Sequence, residues 1–533
     1  MFTDHERLPL DDRPPGSPPR RLGAWRDPGL LIPAGLTLGW LVVTVLHLRF
    51  PYPSDQLNYL RAAARFPQPL VPVTEIHQVT RFGVLIPVRL AMTVFGYSQA
   101  SYYVVPVLGT LVLLLGTYAL GTLLFSRWVG VTGALVVVAA TPVFTDSTDL
   151  LPDVLATGLF TGALAVAVAI RRHRLPAGRW VLLALGLLVG WSYLVREFIV
   201  FVWPLIPVLL YRRVGWSGLA WLAAPIAALG LGETLLCWAL YDDPLARVKA
   251  VTGHAQGYAP PRIAGSFRDK PRSVYLLRLP ATLRQYPEGR WLKLLLGLTL
   301  LGGLVRLRRF ALPVAWCALL WVPLSLLGGV LDPAKPSLRL QLIRYWFPIF
   351  PAFVLGGLGL IWLAAGFLSA RALRGRSAES RVGRVSLAAV PVVALLAVSL
   401  VTAGTAARGW WAGPSTRVGG GTQLEAFRTW MSEHDNGSQT LWTERHTALD
   451  LGIYRNGPFG GIAWHQQVKV ARHTGELPAP GDLVLFFDTE KGQVCEHCRT
   501  GARELWSNPP RPRPGWQQVY ATRDGVVRVY SVG

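Results

Sequence analysis

Residues 104–125 read VVPVLGTLVLLLGTYALGTLLF, 22 consecutive positions without a charged side chain. Coiled as an α-helix at about 1.5 Å per residue, the stretch is about 33 Å long, enough to cross the roughly 30 Å hydrocarbon core of a bilayer. Similar blocks lie on both sides of it: Leu30–Leu48, Val129–Phe144, Val154–Ile170, Leu219–Leu240, Leu294–Val305, Leu312–Val330, Ile343–Leu368 and Val385–Ala406. An interior helix of a soluble protein would account for any one block, but not for the whole series. With 533 residues, 51% of them hydrophobic, the chain carries more apolar material than one soluble core buries. A polytopic, mainly α transmembrane bundle is therefore expected.

The net charge of +23 would suggest nucleic acid if the basic residues formed one soluble face. Instead, much of the arginine sits in short loops between apolar blocks, the bias that orients membrane proteins. With about 11 spans, Arg127, Arg171–Arg174, Arg212 and Arg213, Arg306–Arg309 and Arg371–Arg384 all fall on the cytoplasmic side. This count divides Trp180–Tyr211 into two short spans at Arg196 and Glu197, because an unpaired charged pair at mid-depth would cost several kcal/mol. No nucleic-acid partner is expected.

The Pro- and Arg-rich residues 1–27 are expected to form a disordered cytoplasmic tail, followed by a transmembrane domain over 28–407 with outer loops 50–98 and 241–290. Beyond residue 408 the pattern changes. LEAFRTWM suggests an amphipathic helix, and QTLWTE, GDLVLFFD and GVVRVYSV suggest short strands between Gly, Pro and Asn turns. Residues 408–533 are thus predicted to form a small α/β domain on the extracytoplasmic side. Cys495 and Cys498, in CEHC, are either half of a zinc site or a local disulfide.

Possible chemistry gathers on the outer side. Asp55, in PYPSDQLNYLRAA, either caps the helix that follows or acts as a general base whose pKa is raised by partial desolvation. Asp146, Asp149 and Asp153 form a second acidic group, with Asp149 and Asp153 spaced to share a helical face. The loop 241–290 is rich in arginine, including Arg262, Arg268 and Arg272, which could pair with phosphate or with anionic lipid. Arg344 and Tyr345 open the span at Ile343, and His77 is a further candidate for binding substrate or metal, although a lone His more often does neither.

The order of the apolar blocks, the early acid Asp55, RFGVLIPVRLAMTVFGYS, DLLPDVLAT, YLVREF and RYWFPIFPAF together resemble the GT-C glycosyltransferases, in particular the branch of the protein O-mannosyltransferases and aminoarabinose transferases. The resemblance covers about residues 30–367. It implies a GT-C bundle, a polyprenyl-phosphate-linked sugar donor, a glycan, lipid or protein acceptor, and transfer with inversion at the outer face of the plasma membrane. Asp55 matches the catalytic acid of the first outer loop, Asp153 the second acidic site, and Arg344 the basic residue near the donor phosphate. Gln56 stands where some members have a second acid, and the His-Pro-Pro pattern is absent around His77. These departures leave acceptor class and any divalent metal open; no cofactor is predicted. The rival expectations are a transporter or flippase of lipid-linked precursors, a glycan polymerase or ligase, and a membrane-anchored binding protein.

Overall fold

The computed structural model describes residues 28–68, 77–256, 265, 267–374, 381–411, 421–434, 437–454, 464–473, 476–488 and 495–533. The expected N-terminal tail and Arg262 lie outside them. The first half of the chain forms α1 (Pro28–Leu46), α2 (Asp55–Arg65), α3 (Phe82–Phe95), α4 (Gln99–Leu124), α5 (Arg127–Ala139), α6 (Thr141–Asp146), α7 (Pro152–Arg171), α8 (Arg179–Val195) and α9 (Leu205–Tyr241). Next come α10 (Ala246–Gln256), α11 (Arg272–Leu276), α12 (Arg278–Leu283), α13 (Gly289–Val305), α14 (Leu307–Ser325), α15 (Phe350–Arg374) and α16 (Arg381–Trp411). Among the described residues, six helices are long and apolar enough to cross a membrane, and four shorter apolar helices accompany them.

These helices are apolar on their outward faces as well as inside. Leu304 is 85% exposed, and Trp216 and Leu400 are each 75% exposed. Faces of this kind are costly in water and favourable against lipid tails. The chain is a multi-pass membrane protein.

Small residues let the central helices approach closely, as membrane packing favours. A Cβ on Gly158 of α7 would lie 2.5 Å from the carbonyl oxygen of Gly109 on α4, and a Cβ on Gly116 would lie 2.9 Å from the amide nitrogen of Gly162. Gly158→Val is therefore expected to destabilise the bundle by about 1–3 kcal/mol, as overpacking generally does. Thermal unfolding of the purified protein in detergent checks this, and an unchanged midpoint would show that the two helices have room to spare.

At Arg196 and Glu197 the chain turns. α8 ends there, a 3-10 segment runs Glu197–Val202, and α9 begins at Leu205. The backbone turns again at Gly215, whose φ of 61° lies in the left-handed region that only glycine enters without strain. One expectation is corrected here. Asp149 and Asp153 do not share a helical face, because Pro152 opens α7 and Asp149 lies in the turn before it.

The tail carries α17 (Gly421–His434), β1 (Thr440–Thr443), α18 (Arg445–Tyr454), β2 (Gln467–Val470), β3 (Leu483–Phe487), α19 (Glu496–Trp506), β4 (Gln517–Ala521) and β5 (Val527–Ser531). The strands form one mixed sheet in the order β2-β1-β3-β5-β4, parallel across β2, β1 and β3 and antiparallel at β5 and β4. Strand alternation divides the side chains between two cores. Leu483, Leu485 and Phe487 pack with Leu424, Phe427 and Met431 of α17, while Val484 and Phe486 pack with Trp506 of α19. Cys495 and Cys498 are disulfide-bonded to each other.

The sheet domain is seated on the bundle. Phe50, from the loop after α1, is buried against Tyr454 and Phe487, and the Gln99 side-chain amide donates to Glu425 at 2.8 Å.

Candidate active site

Pro51 and Pro53 interrupt the chain after α1, and α2 starts at Asp55. Leu57, Leu60 and Ala63, spaced along one stripe of α2, are fully buried and fix the helix against the bundle. Ser54 occupies the N-cap position, yet its side chain makes no capping hydrogen bond. Asp55 does not serve its own helix. One carboxylate oxygen accepts from the Gln78 side-chain amide at 2.8 Å, and the other accepts from Arg344 Nη2 at 3.1 Å. Its side chain is 29% exposed, so it lies at an edge rather than inside the core.

Burial pushes the Asp55 carboxyl up, but the charges of Arg344, His77 and Arg81 outweigh burial and hold it below its ordinary value. This corrects the expectation of a raised pKa: desolvation acts as foreseen, and the basic neighbours overrule it. The sign follows directly. A carboxylate with a lowered folded-state pKa contributes stability above its unfolded value, about 3.9, and loses it as pH falls through the folded value. The stability advantage of the wild type over Asp55→Asn should therefore be constant from pH 7 to pH 5 and shrink only below about pH 4. Melting curves of the pair across that range measure it, and an advantage already lost by pH 5.5 would contradict the assignment.

Behind Asp55 lies a buried ionic cluster. Asp153, in the first turn of α7, is completely buried and faces Arg196 Nε at 3.0 Å. The Arg196 guanidinium also stacks over Tyr345, 4.8 Å from the ring centre, and over Phe198 at 5.0 Å. Glu197 faces three arginines: Arg81 at 3.1 Å, Arg247 at 3.5 Å and Arg196 at 3.9 Å. Arg81 donates to the Tyr59 hydroxyl, and Arg247 pairs with Glu233 while donating to the Tyr193 carbonyl at 2.7 Å. A charge cluster this deep is tolerable only when paired.

The pairing leaves donors over. Among the described residues, Nε of Arg81, Arg247 and Arg344 and Nη2 of Arg196 are buried without a hydrogen-bond partner. Both oxygens of Asp153 and Oε2 of Glu197 are likewise buried without a hydrogen-bond partner, so the surplus is mutual within the cluster; the donor at its edge, Nε of Arg344 beside Asp55, is the one placed to meet an anionic, oxygen-rich group such as a phosphate.

Asp55, His77, Asp153, Arg344 and Tyr345 are thus gathered in one region, with Asp149, paired to Arg49 at 3.2 Å, within electrostatic reach of Arg344. Nearby Asp146 is pushed well above the ordinary carboxylate value by burial and then by Asp149 and Asp153. Arg268 instead lies over Phe267, a ring it shares with Arg339, and Arg272 is exposed at the start of α11. Among the described residues, neither forms an ion pair with Asp55, Asp149 or Asp153.

Sequence reasoning named none of Arg81, Glu197 and Glu233 as a site residue, although Arg81 opens the element RFGVLIPVRLAMTVFGYS and Glu197 lies in YLVREF. Glu233 gave a usable signal, being a lone carboxylate inside the apolar block Leu219–Leu240, a position that is costly without a partner.

No protein-family model and no curated protein matches the chain. Solved structures do. The crystal structure of ArnT from Cupriavidus metallidurans in the apo state aligns with a TM-score of 0.54 at 11% identity, over 94% of this chain and 97% of that one. The same protein bound to undecaprenyl phosphate aligns at 0.51 and 12% identity with equal coverage. The archaeal oligosaccharyltransferase AglB from Archaeoglobus fulgidus, in complex with an inhibitory peptide and a dolichol-phosphate, gives 0.46 and 12% identity over 82% of this chain and 64% of that one. Bundle and sheet domain together, the chain has the GT-C fold seen in ArnT.

Proposed function

We propose that the chain is a membrane glycosyltransferase that moves a sugar from a polyprenyl-phosphate donor to an acceptor hydroxyl, with inversion at the anomeric carbon. The single observation that carries this reading is the ion pair between Asp55, at an edge of the site, and Arg344, whose Nε is buried without a hydrogen-bond partner. The ArnT structure bound to undecaprenyl phosphate supports a lipid phosphate as the kind of group such a fold accommodates. In the proposed topology residues 1–27 are cytoplasmic, residues 28–407 form the catalytic bundle in the plasma membrane, and residues 408–533 lie outside.

In this mechanism the acceptor oxygen attacks the anomeric carbon and gives up its proton to Asp55. The bond between that carbon and the phosphate oxygen breaks, and the electron pair leaves with the lipid phosphate. Arg344 and Arg196 receive the negative charge as it develops. The salt bridge to Arg344 also explains why a base starts with a low pKa. When a donor phosphate engages Arg344, Asp55 loses its strongest counter-charge, and burial then raises its proton affinity. Asp153 holds Arg196 in place, and the Tyr345 ring lies against its guanidinium. Fixed guanidinium charge can take the part that a divalent ion plays in other phosphate-handling sites.

The test uses the full-length protein, purified and reconstituted in liposomes with a polyprenyl-phosphate sugar of defined headgroup. Release of free polyprenyl phosphate together with a glycosylated acceptor is the expected result. Movement of intact donor across the bilayer without release would establish the flippase reading instead.

A further inference from the structure

At the other end of α7, roughly 27 Å from Asp153 at the α-helical rise, the structure holds a second basic site. A cavity of about 860 Å³ opens between α4, α7, α9, α14 and α15. Five arginines line it, Arg171, Arg172 and Arg174 at the end of α7 and Arg308 and Arg309 at the start of α14, and among the described residues no carboxylate does. The remaining wall is mostly apolar, including Val208, Leu209, Leu312, Ala315 and Leu363. Val208 is 74% exposed, so this wall is continuous with the lipid-facing surface.

A topological signal needs positive charge near the ends of spans, but it does not need that charge to converge. Here two clusters separated by more than 130 residues of sequence face one hollow. The convergence is felt at Arg172. Arg172 is pushed down by burial and then by the repulsion of Arg171, Arg174 and Arg309, while it donates at 3.5 Å to the Leu124 carbonyl at the end of α4. A multivalent oxyanion would relieve the repulsion, and the greasy wall beside it would take a hydrocarbon chain.

We propose that this cavity binds the phosphate headgroup of an anionic membrane lipid, with its chains laid along the α9 and α14 side of the opening. The site is distinct from the Asp55 site and lies at the opposite end of the bundle. The chemistry it recognises is a phosphate carrying a hydrophobic tail.

The experiment is native mass spectrometry of the full-length protein released from detergent after addition of phosphatidylglycerol, phosphatidylcholine or inorganic phosphate. Wild-type protein is expected to retain at least one phosphatidylglycerol at a tenfold lower lipid concentration than phosphatidylcholine. The double variant Arg172→Gln/Arg309→Gln should lose that preference. Ala315→Trp fills the hollow without changing any charge and should also lose it, which separates a cavity from a simple orientation signal. Asp55→Asn should retain it in full, so failure of the proposed glycosyl transfer leaves this test readable. Equal retention of both lipids by the wild type, or unchanged preference in both cavity variants with normal melting, would overturn the proposal. Inorganic phosphate competing as well as phosphatidylglycerol does would overturn the lipid assignment.

Discussion

Asp55→Asn is expected to lower sugar transfer by roughly 10²–10⁴-fold, the range that positioned general bases contribute, while leaving binding of the donor lipid largely intact. The substitution keeps the size of the side chain and its bond to Gln78, and it removes the proton acceptor and the counter-charge of Arg344. Arg344 then faces an incoming phosphate without competition, so the apparent affinity for the donor should hold or improve as turnover collapses. Such a split between kcat and KM marks a residue that acts in the transition state rather than in substrate capture. It is measured by single-turnover release of polyprenyl phosphate, alongside a melting curve that verifies folding. Turnover within threefold of wild type would remove Asp55 from the chemistry.

The second large effect concerns stability. Glu197→Gln removes the carboxylate that faces Arg81, Arg196 and Arg247, and it leaves three guanidinium groups with only Asp153 and Glu233 to balance them. Arg81 and Arg247 are 5% exposed at the side chain and Glu197 22%, so water replaces the lost partner only in part. Breaking a buried pair in this way costs about 3–5 kcal/mol, enough to reduce the yield of monodisperse protein sharply. Adding Arg81→Met to Glu197→Gln should recover part of the loss, because one stranded charge is withdrawn, and that recovery measures the coupling. A Glu197→Gln protein that melts with the wild type would show the cluster to be hydrated and of little weight.

The two variants also divide the site by physical role. Asp55 is partly exposed and held by groups that could exchange it for a ligand, as a reacting group requires. Glu197 is held by three cations at once and organises them. The Asp55 carboxylate bonds Gln78 and Arg344, partners outside its own helix.

Much of this was written in local pattern. Uncharged runs such as residues 104–125 could become only membrane helices, because backbone polar groups in lipid must be satisfied within the segment. The strands of the tail were legible through alternation, as in Leu483–Phe487, whose odd and even positions serve different cores. Asp55, Asp153 and Arg344 stood out from the sequence because they flank apolar blocks. Their partners did not. Gln78 and Glu233 carry no motif, and Arg81, Arg196 and Glu197 lie in quoted elements whose sequence does not say which charges they meet.

The sequence by itself determined that the chain would be a helical membrane bundle with a small sheet domain after it, since hydropathy and periodicity act over neighbouring residues and need no fold to be read. The tertiary structure alone decided which charges meet. Asp55 reaches Arg344 across 289 positions of chain, and Glu197 reaches Arg81 across 116. Electrostatic pairing depends on distance in space, so the lowered pKa of Asp55 and the balance of the buried cluster arose only once the helices had packed.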